Sequence, residues 1–257
     1  MAMQPTERRP FFDLAGPSGA QAVVFIHGAA WTRAEWLPQT RALADEFRVL
    51  ALDLPGHGAH VAEPFRLATA VRAVAEAIEQ AGAGRALVVG HSLGGYVAVA
   101  HAAAHPQQVA GLVLSGSSVD YRLLGLVSWL DAALSLRLVG ERRIVAMQEK
   151  SVREMLPPDL AEAQLAAGFS FGAMPAVYRE LARHDFRALL RTYVGPTLIL
   201  NGERDRPNRR GERKLLAACQ HGRLAIVAGA GHACNLEQPE AFTAEVRAMA
   251  NQLAHPL

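Results

Sequence analysis

Residues 87–104 have the sequence LVVGHSLGGYVAVAHAAA, in which an apolar run meets a glycine-rich turn and then an alanine-rich segment. The apolar run predicts a short buried strand over Leu87–Val89, and the alanine-rich segment predicts a helix over Leu93–Ala104. The turn between them, residues 90–94, has the pattern G-x-S-x-G. Such a sharp turn holds its serine in a strained backbone conformation and directs the N-terminus of the following helix toward it. Ser92 is therefore a candidate nucleophile.

Strand and helix patterns alternate on both sides of this turn. Further strands are predicted over Val23–Ile26, Phe47–Leu52, Val109–Leu114, Thr197–Leu200 and Leu224–Val227. Further helices are predicted over Glu35–Glu46, Leu67–Ala81, Arg210–Ala218 and Pro239–Leu253. Apolar strands that alternate with helices are typical of a parallel sheet covered on both faces, so we predict a doubly wound, mostly parallel α/β fold.

The alternation stops between residues 119 and 191, where the sequence predicts helices and no strand of comparable quality. The helical patterns lie around Leu123–Val139, Arg142–Met155, Leu160–Ala167 and Ala176–Leu190. The simplest arrangement is a helical insertion on the α/β core. We therefore divide the chain into a core, residues 1–118 and 192–257, and an inserted helical segment, residues 119–191, which depends too much on the core to be a second domain.

The composition of the 257-residue chain excludes several classes of protein. It is 51% hydrophobic and 19% charged, which is apolar enough for a sizeable core and too apolar for a disordered chain. No unbroken apolar run reaches the roughly 18 residues of a membrane span. The net charge of +2 gives little basis for a nucleic-acid surface. We expect neither a membrane nor a nucleic acid as partner.

The amino-terminal segment and the cysteines indicate a compartment. No apolar segment follows the two arginines within Met1–Pro10, so we expect no secretory signal. Cys219 and Cys234 are too few for a disulfide framework, and they lack the paired spacing of a zinc site. The expectation is a cytoplasmic protein with reduced thiols.

The sequence gives no sign of a cofactor. His101 and His105 form an H-x-x-x-H pair on a predicted helix, but Ala102 stands where the zinc motif H-E-x-x-H has its glutamate. No lysine follows Gly94-Gly95, although a phosphate-binding P-loop requires one. We expect no cofactor and no bound metal.

Four further segments support a family assignment, and they occur in a fixed order along the chain. These segments are His27-Gly28-Ala29-Ala30, Asp53-Leu54-Pro55-Gly56-His57-Gly58, Asn201-Gly202-Glu203-Arg204-Asp205, and Gly231-His232 followed by Leu236-Glu237-Gln238-Pro239. Together with the serine turn they make the chain resemble the α/β-hydrolase superfamily over nearly its whole length. The resemblance implies an α/β-hydrolase fold in which the helical insertion is a cap.

The resemblance also implies roles for individual residues. Ser92 would be the nucleophile, His232 the general base and Asp205 the acid that orients the base. The backbone N–H groups of Ala29 and Leu93 would bind the oxyanion. Asp120, just beyond the fourth predicted strand, and Glu203 remain alternatives for the acid.

The inserted helices are expected to set the substrate. Residues that could line a pocket beneath the cap, with contributions from the core, are Trp31, Trp36, Trp129, Leu130, Leu134, Phe169, Phe171 and Met174. The alternative is that most of them form the cap's own core. Arginines in this region give no guide to the substrate, because arginine supplies nearly all the basic residues of the chain.

These features predict a serine hydrolase that cleaves a small to medium, largely apolar carboxylic ester through an acyl-enzyme. A serine at position 92 argues against the dehalogenases and epoxide hydrolases of the superfamily, which use an aspartate there. An enol-lactonase or a carbon–carbon bond hydrolase of ring-cleavage products remains an alternative. The latter often has tryptophan after the histidine, where this chain has Ala233. A non-catalytic ligand-binding protein on the same fold is the alternative of another class.

Overall fold

The computed structural model describes residues 10–255, and the strands in this range form one sheet. The strands are β1 (Phe12–Ala15), β2 (Ala22–Ile26), β3 (Arg48–Leu52), β4 (Ala86–His91), β5 (Val109–Ser115), β6 (Pro196–Gly202) and β7 (His221–Val227). Their order is β1-β3-β2-β4-β5-β6-β7. All neighbours pair in parallel except β1 and β3, which are antiparallel. The predicted mostly parallel α/β fold is confirmed. The expectation that no signal precedes residue 10 lies outside the described residues.

The sequence did not predict β1, which lies at one edge of the sheet. Phe12 pairs with Leu52 and Ala15 with Val49 in an antiparallel register. The strand has four residues, none of them fully buried, and one of them is the charged Asp13. A half-exposed edge strand has neither a continuous apolar run nor a clear alternation, so periodicity cannot detect it.

The helices within residues 10–255 follow the predicted order, except that one begins at Arg206 and not at the predicted Arg210, and that the short helix Cys234–Glu237 was not predicted. They are α1 (Leu37–Leu43), α2 (Leu67–Gln80), α3 (Leu93–Ala104), α4 (Tyr121–Leu138), α5 (Glu141–Met155), α6 (Pro158–Ala167), α7 (Met174–Leu181), α8 (Phe186–Arg191), α9 (Arg206–Leu216), α10 (Cys234–Glu237) and α11 (Pro239–Ala254). The predicted helix over Glu35–Glu46 is a short 3-10 turn followed by the shorter α1. The single helix predicted over Ala176–Leu190 is wrong. It is divided between α7 and α8, because the Asp185 side chain accepts the Ala188 N–H and starts a new helix there.

Alternate residues of each central strand enter two separate cores, one on each face of the sheet. On one face Val24 and Ile26 pack with residues of α2, α3 and α8. On the other face Val23 and Phe25 pack with residues of α1 and α11. The central strands are therefore buried on both sides, whereas the edge strands β1 and β7 are partly exposed. The carboxyl ends of the parallel strands carry the candidate site.

The helices α4 to α8 lie between β5 and β6 in the chain. β5 and β6 are nevertheless direct neighbours, with Leu112 beside Thr197. Within this segment α4 and α7 approach closely at Gly125, where a Cβ atom would lie 2.3 Å from the Ala182 Cβ. The segment has the position that the sequence predicted for an insertion, and its division from the core stays a prediction.

One side of α4 is apolar and faces outward. Five leucines on this side, spaced three or four residues apart, are at least half exposed: Leu123, Leu126, Leu130, Leu134 and Leu138. The prediction that Leu130 and Leu134 lie beneath the insertion is therefore wrong. Among residues 10–255, no single helix has the length and hydropathy of a membrane span, whereas the bent pair α4 and α5 meets that criterion by length and composition.

The buried His101 on α3 makes the fold sensitive to acid. Its side chain is fully buried beside His105, with ring centroids 5.2 Å apart. Burial, with a smaller contribution from the His105 charge, lowers the pKa of His101 to about 4. An unfolded chain binds a proton at this position below about pH 6.5, but the folded chain does not. The free energy of unfolding therefore falls as the pH falls from about 6.5 to about 4, by about 1.4 kcal/mol per pH unit from this group.

We expect His101→Leu to remove this part of the acid sensitivity. Urea unfolding at about pH 6.5 and about pH 5 should show a loss of stability about 2 kcal/mol smaller in the variant than in wild type. His221→Leu, at an exposed position on β7, controls for the loss of an imidazole that is not buried. Equal losses in wild type and His101→Leu would contradict this explanation.

Candidate active site

Ser92 occupies a strained turn between β4 and α3. Its backbone has φ 49° and ψ −114°, in the left-handed half of the φ range that side chains other than glycine rarely adopt. The Ser92 N–H donates to the Ser115 carbonyl at the end of β5, at 2.7 Å. The strand, the sharp turn and the helix thus stand in the order that the sequence predicted for a nucleophile.

The glycines around Ser92 allow this turn to form. A Cβ atom on Gly94 would lie 2.0 Å from the Ile26 carbonyl oxygen, and one on Gly90 would lie 2.3 Å from the Gly94 backbone. Real Cβ atoms do not approach other atoms so closely, so any other residue would displace α3 from β2 or open the turn. The G-x-S-x-G spacing therefore has a steric cause.

The loops after β6 and β7 bring Asp205 and His232 together. The His232 Nδ1 lies 2.7 Å from the Asp205 Oδ2. Asp205 is almost fully buried, whereas the His232 side chain is about half exposed at 49%. Burial opposes ionisation of Asp205, but hydrogen bonds from His232 and Asn208 outweigh it and hold the pKa of Asp205 below its ordinary value. An ionised carboxylate on Nδ1 leaves the Nε2 of His232 available to another group.

Asn208 is a component of this site that the sequence analysis missed. Its Nδ2 donates to the Asp205 Oδ2 at 2.9 Å, and its Oδ1 accepts the Ser118 N–H at 2.7 Å. Asp205 precedes the first turn of α9 and caps that helix. The sequence did contain a signal for this contact. Asn208 follows the capping residue Asp205 by three positions, and this spacing places the two side chains next to each other at the start of the helix.

The two alternative acids lie elsewhere. Asp120 caps α4 and forms ion pairs with Arg122, at 3.0 Å, and with Arg187. Glu203 is exposed and accepts the Gly229 N–H at 2.8 Å. Among residues 10–255, Asp205 is the carboxylate that contacts the His232 imidazole, so the geometry favours Asp205 over both alternatives.

The His232 ring lies next to the turn that carries Ser92. Its centroid is 4.9 Å from that of His91, the residue immediately before Ser92. Its ring also lies against Gly116, where an added Cβ would be 2.8 Å from the His232 Cε1. Gly116 follows Ser115, the residue that accepts the Ser92 N–H. The three candidate residues therefore lie at the same end of the sheet, and within residues 10–255 the hydrogen bond recorded among their side chains is the one between His232 and Asp205.

The loop after β2 is held by two buried histidines. Ala30 has φ 66° and donates its N–H to the His57 Nε2 at 3.2 Å. His57 in turn donates from Nδ1 to the Pro55 carbonyl at 3.0 Å. Burial, helped by the nearby His27, lowers the pKa of His57 to about 3, so His57 stays neutral and keeps Nε2 as an acceptor. His27 bonds similarly to the Leu54 N–H.

The two N–H groups named as oxyanion donors differ from that of Ala30. Within residues 10–255, neither the Ala29 N–H nor the Leu93 N–H donates to another protein group. Leu93 begins α3, where the helix leaves its first N–H groups unpaired and its dipole favours negative charge. Both donors are therefore available to a ligand.

The residues predicted to line one substrate pocket lie at different sites in the structure. Trp31 and Phe169 pack edge to face, with ring centroids 5.3 Å apart. Phe171 and Met174 line a cavity of about 520 Å³ among α4, α5 and α7, whose lining contains no residue of the loops that carry Ser92, Asp205 and His232. The Arg179 guanidinium lies over the Trp129 ring, with its Cζ atom 5.9 Å from the ring centroid.

Trp36 belongs to the core of the sheet and not to a pocket. It is fully buried and stacks on Phe25, with ring centroids 4.7 Å apart. Cys234 is also fully buried, and burial raises the pKa of its thiol to about 11. No group of three or more His, Cys, Asp or Glu side chains in the described part of the chain is arranged to hold a metal ion.

One similar protein of named activity matches almost the entire chain. It is a pimeloyl-(acyl-carrier protein) methyl ester esterase of Neisseria meningitidis serogroup C, 32% identical over 249 residues. The match covers 90% of this chain and 94% of that protein. The chain is therefore similar over its length to a protein named as an esterase.

Two solved structures share the fold. MenH from S. aureus has a TM-score of 0.81 at 19% identity, covering 96% of this chain and 100% of that chain. The enol-lactonase from Burkholderia xenovorans LB400 has a TM-score of 0.75 at 21% identity, covering 93% and 95%. A family model described as the alpha/beta hydrolase family matches residues 23–246. That match spans most of the chain and agrees with the sheet order and with the turn at Ser92, so the chain belongs to the alpha/beta hydrolase family.

Proposed function

We propose that this protein is a serine hydrolase that cleaves a small to medium, largely apolar carboxylic ester through Ser92, His232 and Asp205. The observation that carries the proposal is the 2.7 Å contact between the His232 Nδ1 and the buried Asp205 carboxylate, beside the strained turn of Ser92. A nucleophile, a base and a group that orients the base are the parts that acyl transfer requires.

In the first half of the reaction the Ser92 Oγ attacks the ester carbonyl carbon. The His232 Nε2 takes the hydroxyl proton, while Asp205 holds the other ring nitrogen and stabilises the imidazolium. The carbonyl oxygen becomes negatively charged and is bound by the N–H groups of Ala29 and Leu93. Collapse of this intermediate breaks the bond to the alcohol oxygen, which receives the proton from His232. The alcohol leaves, and the acyl group stays on Ser92.

In the second half, water replaces the alcohol. The His232 Nε2 takes a proton from the water as its oxygen attacks the acyl carbon, and the same two N–H groups bind the charge. The Ser92 oxygen then leaves and recovers its proton from His232. The products are one carboxylic acid and one alcohol, and the enzyme returns to its starting state.

The substrate class is supported by the insertion and by the relative. In this proposal residues 119–191 are the cap. Phe171 and Met174 line the cap's own cavity and Trp129 packs against Arg179, so the substrate argument rests on Trp31 and Phe169, which we place on the acyl side of the site. These side chains are aromatic or apolar, which favours an apolar acyl group. The relative's name specifies a methyl ester. An ester of a small alcohol with an acyl chain is thus within the proposed substrate class.

A panel of candidate substrates tests this function. We expect the purified protein to turn over p-nitrophenyl esters, with an optimum between acetyl and dodecanoyl, faster than it turns over enol-lactones or a vinylogous diketone. Faster turnover of a lactone or of the diketone would show that this compound, and not the ester, represents the substrate class. If no compound is hydrolysed and a fluorophosphonate probe does not label the protein, the proposal fails, and equilibrium binding of the same compounds would identify a ligand-binding protein instead.

A further inference from the structure

A buried glutamate lies directly beneath the loop after β2. Glu35, on the 3-10 turn before α1, has no exposed surface. Its Oε2 accepts the Gly28 N–H at 2.7 Å, and its Oε1 accepts the Asn235 Nδ2 at 3.0 Å. The His91 Nδ1 lies 2.5 Å from the same Oε1. One carboxylate therefore contacts three separate segments of the chain.

His91 continues this connection to the loop after β7. Its side chain is 2% exposed, and its Nε2 lies 3.0 Å from the His232 carbonyl oxygen. A carbonyl oxygen only accepts, so the Nε2 carries a hydrogen, and the Nδ1 lies against a carboxylate. The Nε2 therefore acts as a donor, whereas the Nδ1 faces the Glu35 carboxylate as a close charge contact without regular hydrogen-bond geometry.

The charges agree with this geometry. Burial alone would lower the pKa of His91, but the Glu35 carboxylate outweighs burial and raises it. Burial alone would raise the pKa of Glu35, but the His91 charge and the Gly28 N–H outweigh burial and lower it. The two side chains are thus an ion pair inside the protein, where an unpaired charge would be strongly unfavourable.

The pair joins the two loops on which the proposed chemistry depends. Gly28 immediately precedes Ala29, whose N–H is a proposed oxyanion donor, and the carbonyl bonded by His91 belongs to His232, the proposed base. Gly28 has no room for a side chain, because a Cβ there would lie 2.9 Å from the His91 Nδ1. The loop therefore rests directly on the ion pair.

We propose that Glu35 and His91 are positioning residues that fix the loop of Ala29 relative to the loop of His232. This inference depends on the proposed ester hydrolysis, and it assigns to the pair an effect on rate besides its effect on stability. Neither side chain exchanges a proton with the substrate. A shift of a reacting group by about 1 Å can lower a rate by about 10²-fold, so loss of the pair should act mainly on kcat.

Glu35→Gln tests the proposal, because it removes the charge and nearly preserves the shape. We expect kcat with a p-nitrophenyl ester to fall by about 10²-fold, with KM within about threefold of wild type. The rate is expressed per site titrated by a fluorophosphonate, so that molecules that fail to fold are not counted. Glu35→Asp, which retains the charge, should recover part of kcat. An effect on stability alone would lower the number of titrated sites and leave kcat per site unchanged.

His91→Gln and the double variant Glu35→Gln/His91→Gln complete a double-mutant cycle with Glu35→Gln. If the two residues act as one unit, the double variant should lose no more kcat than the worse single variant, whereas independent residues would show multiplied losses. Asp159→Asn is the control, because Asp159 forms an exposed ion pair with Arg41 at 2.5 Å on the surface, and we expect it to match wild type.

Two failures are distinguishable in this experiment. If wild type turns over the ester and folded Glu35→Gln or His91→Gln has the wild-type kcat per titrated site, the positioning role is overturned. If Glu35→Gln does not fold, His91→Gln decides by the same criterion. If wild type is neither active nor labelled at Ser92, the proposed function itself has failed.

Discussion

Replacement of Ser92 with alanine is expected to lower kcat with a p-nitrophenyl ester by about 10⁶-fold, to the level left by the other parts of the site. The substitution removes the Oγ atom that would form the acyl-enzyme and leaves the rest of the turn in place. Alanine retains the Cβ, and the chain already holds Ala30 at φ 66°. The N–H bond to Ser115 is also retained. We therefore expect the variant to fold like wild type.

Steady-state kinetics and covalent labelling with a fluorophosphonate measure this effect independently. Wild type should be labelled at Ser92 and the variant should not be labelled. Ser151→Ala removes an exposed hydroxyl from α5 and should behave as wild type. Labelling of the Ser92→Ala protein at another residue, or a kcat close to wild type, would show that the nucleophile lies elsewhere.

The second large effect concerns the acid. Asp205→Asn should lower kcat/KM by about 10⁴-fold, because an amide at this position does not hold His232 in the tautomer that accepts a proton on Nε2. The shape of the side chain is nearly unchanged, so the loss reports the charge and not the packing. The contact at stake is the 2.7 Å bond between the Asp205 Oδ2 and the His232 Nδ1.

Asp120→Asn provides the matched comparison, since it makes the same chemical change at the other candidate carboxylate. Hydrogen bonds from Arg122 are the largest of the effects that lower the pKa of Asp120. The ion pairs of Asp120 with Arg122 and Arg187 connect α4 with α8. We expect kcat/KM to stay within a few fold of wild type, with a modest loss of stability. If Asp120→Asn has the larger kinetic effect, Asp120 and not Asp205 orients the base.

The sequence predicts the core strands well, because their continuous apolar pattern matches their burial on both faces of the sheet. The strands β2, β4 and β5 are buried on both faces, so they are continuous apolar runs that periodicity detects. The edge strand β1 was missed because its burial is partial, and the break between α7 and α8 was missed because it depends on one capping side chain. Local signals fail where a single contact or an edge decides the structure.

The candidate site shows a similar division. Ser92, Asp205 and His232 follow strands in recognisable motifs, so the sequence predicted all three positions. The Glu35 carboxylate was not predicted, because its partners Gly28, His91 and Asn235 come from distant parts of the chain. The outward leucines of α4 contradict the assumption that the apolar side of a helix faces inward. Contacts between distant segments are the information that a single sequence does not display.

The order of the strands also has a consequence for synthesis on the ribosome. Ser92 follows β4, near the middle of the sheet, but Asp205 and His232 follow β6 and β7, which add to the edge left by β5 only after the inserted helices have been made. A nascent chain therefore holds the proposed nucleophile without its base and exposes the unpaired edge of β5, where other strands could add. The appearance of covalent labelling at Ser92 during translation would mark the moment when this last part of the sheet has docked.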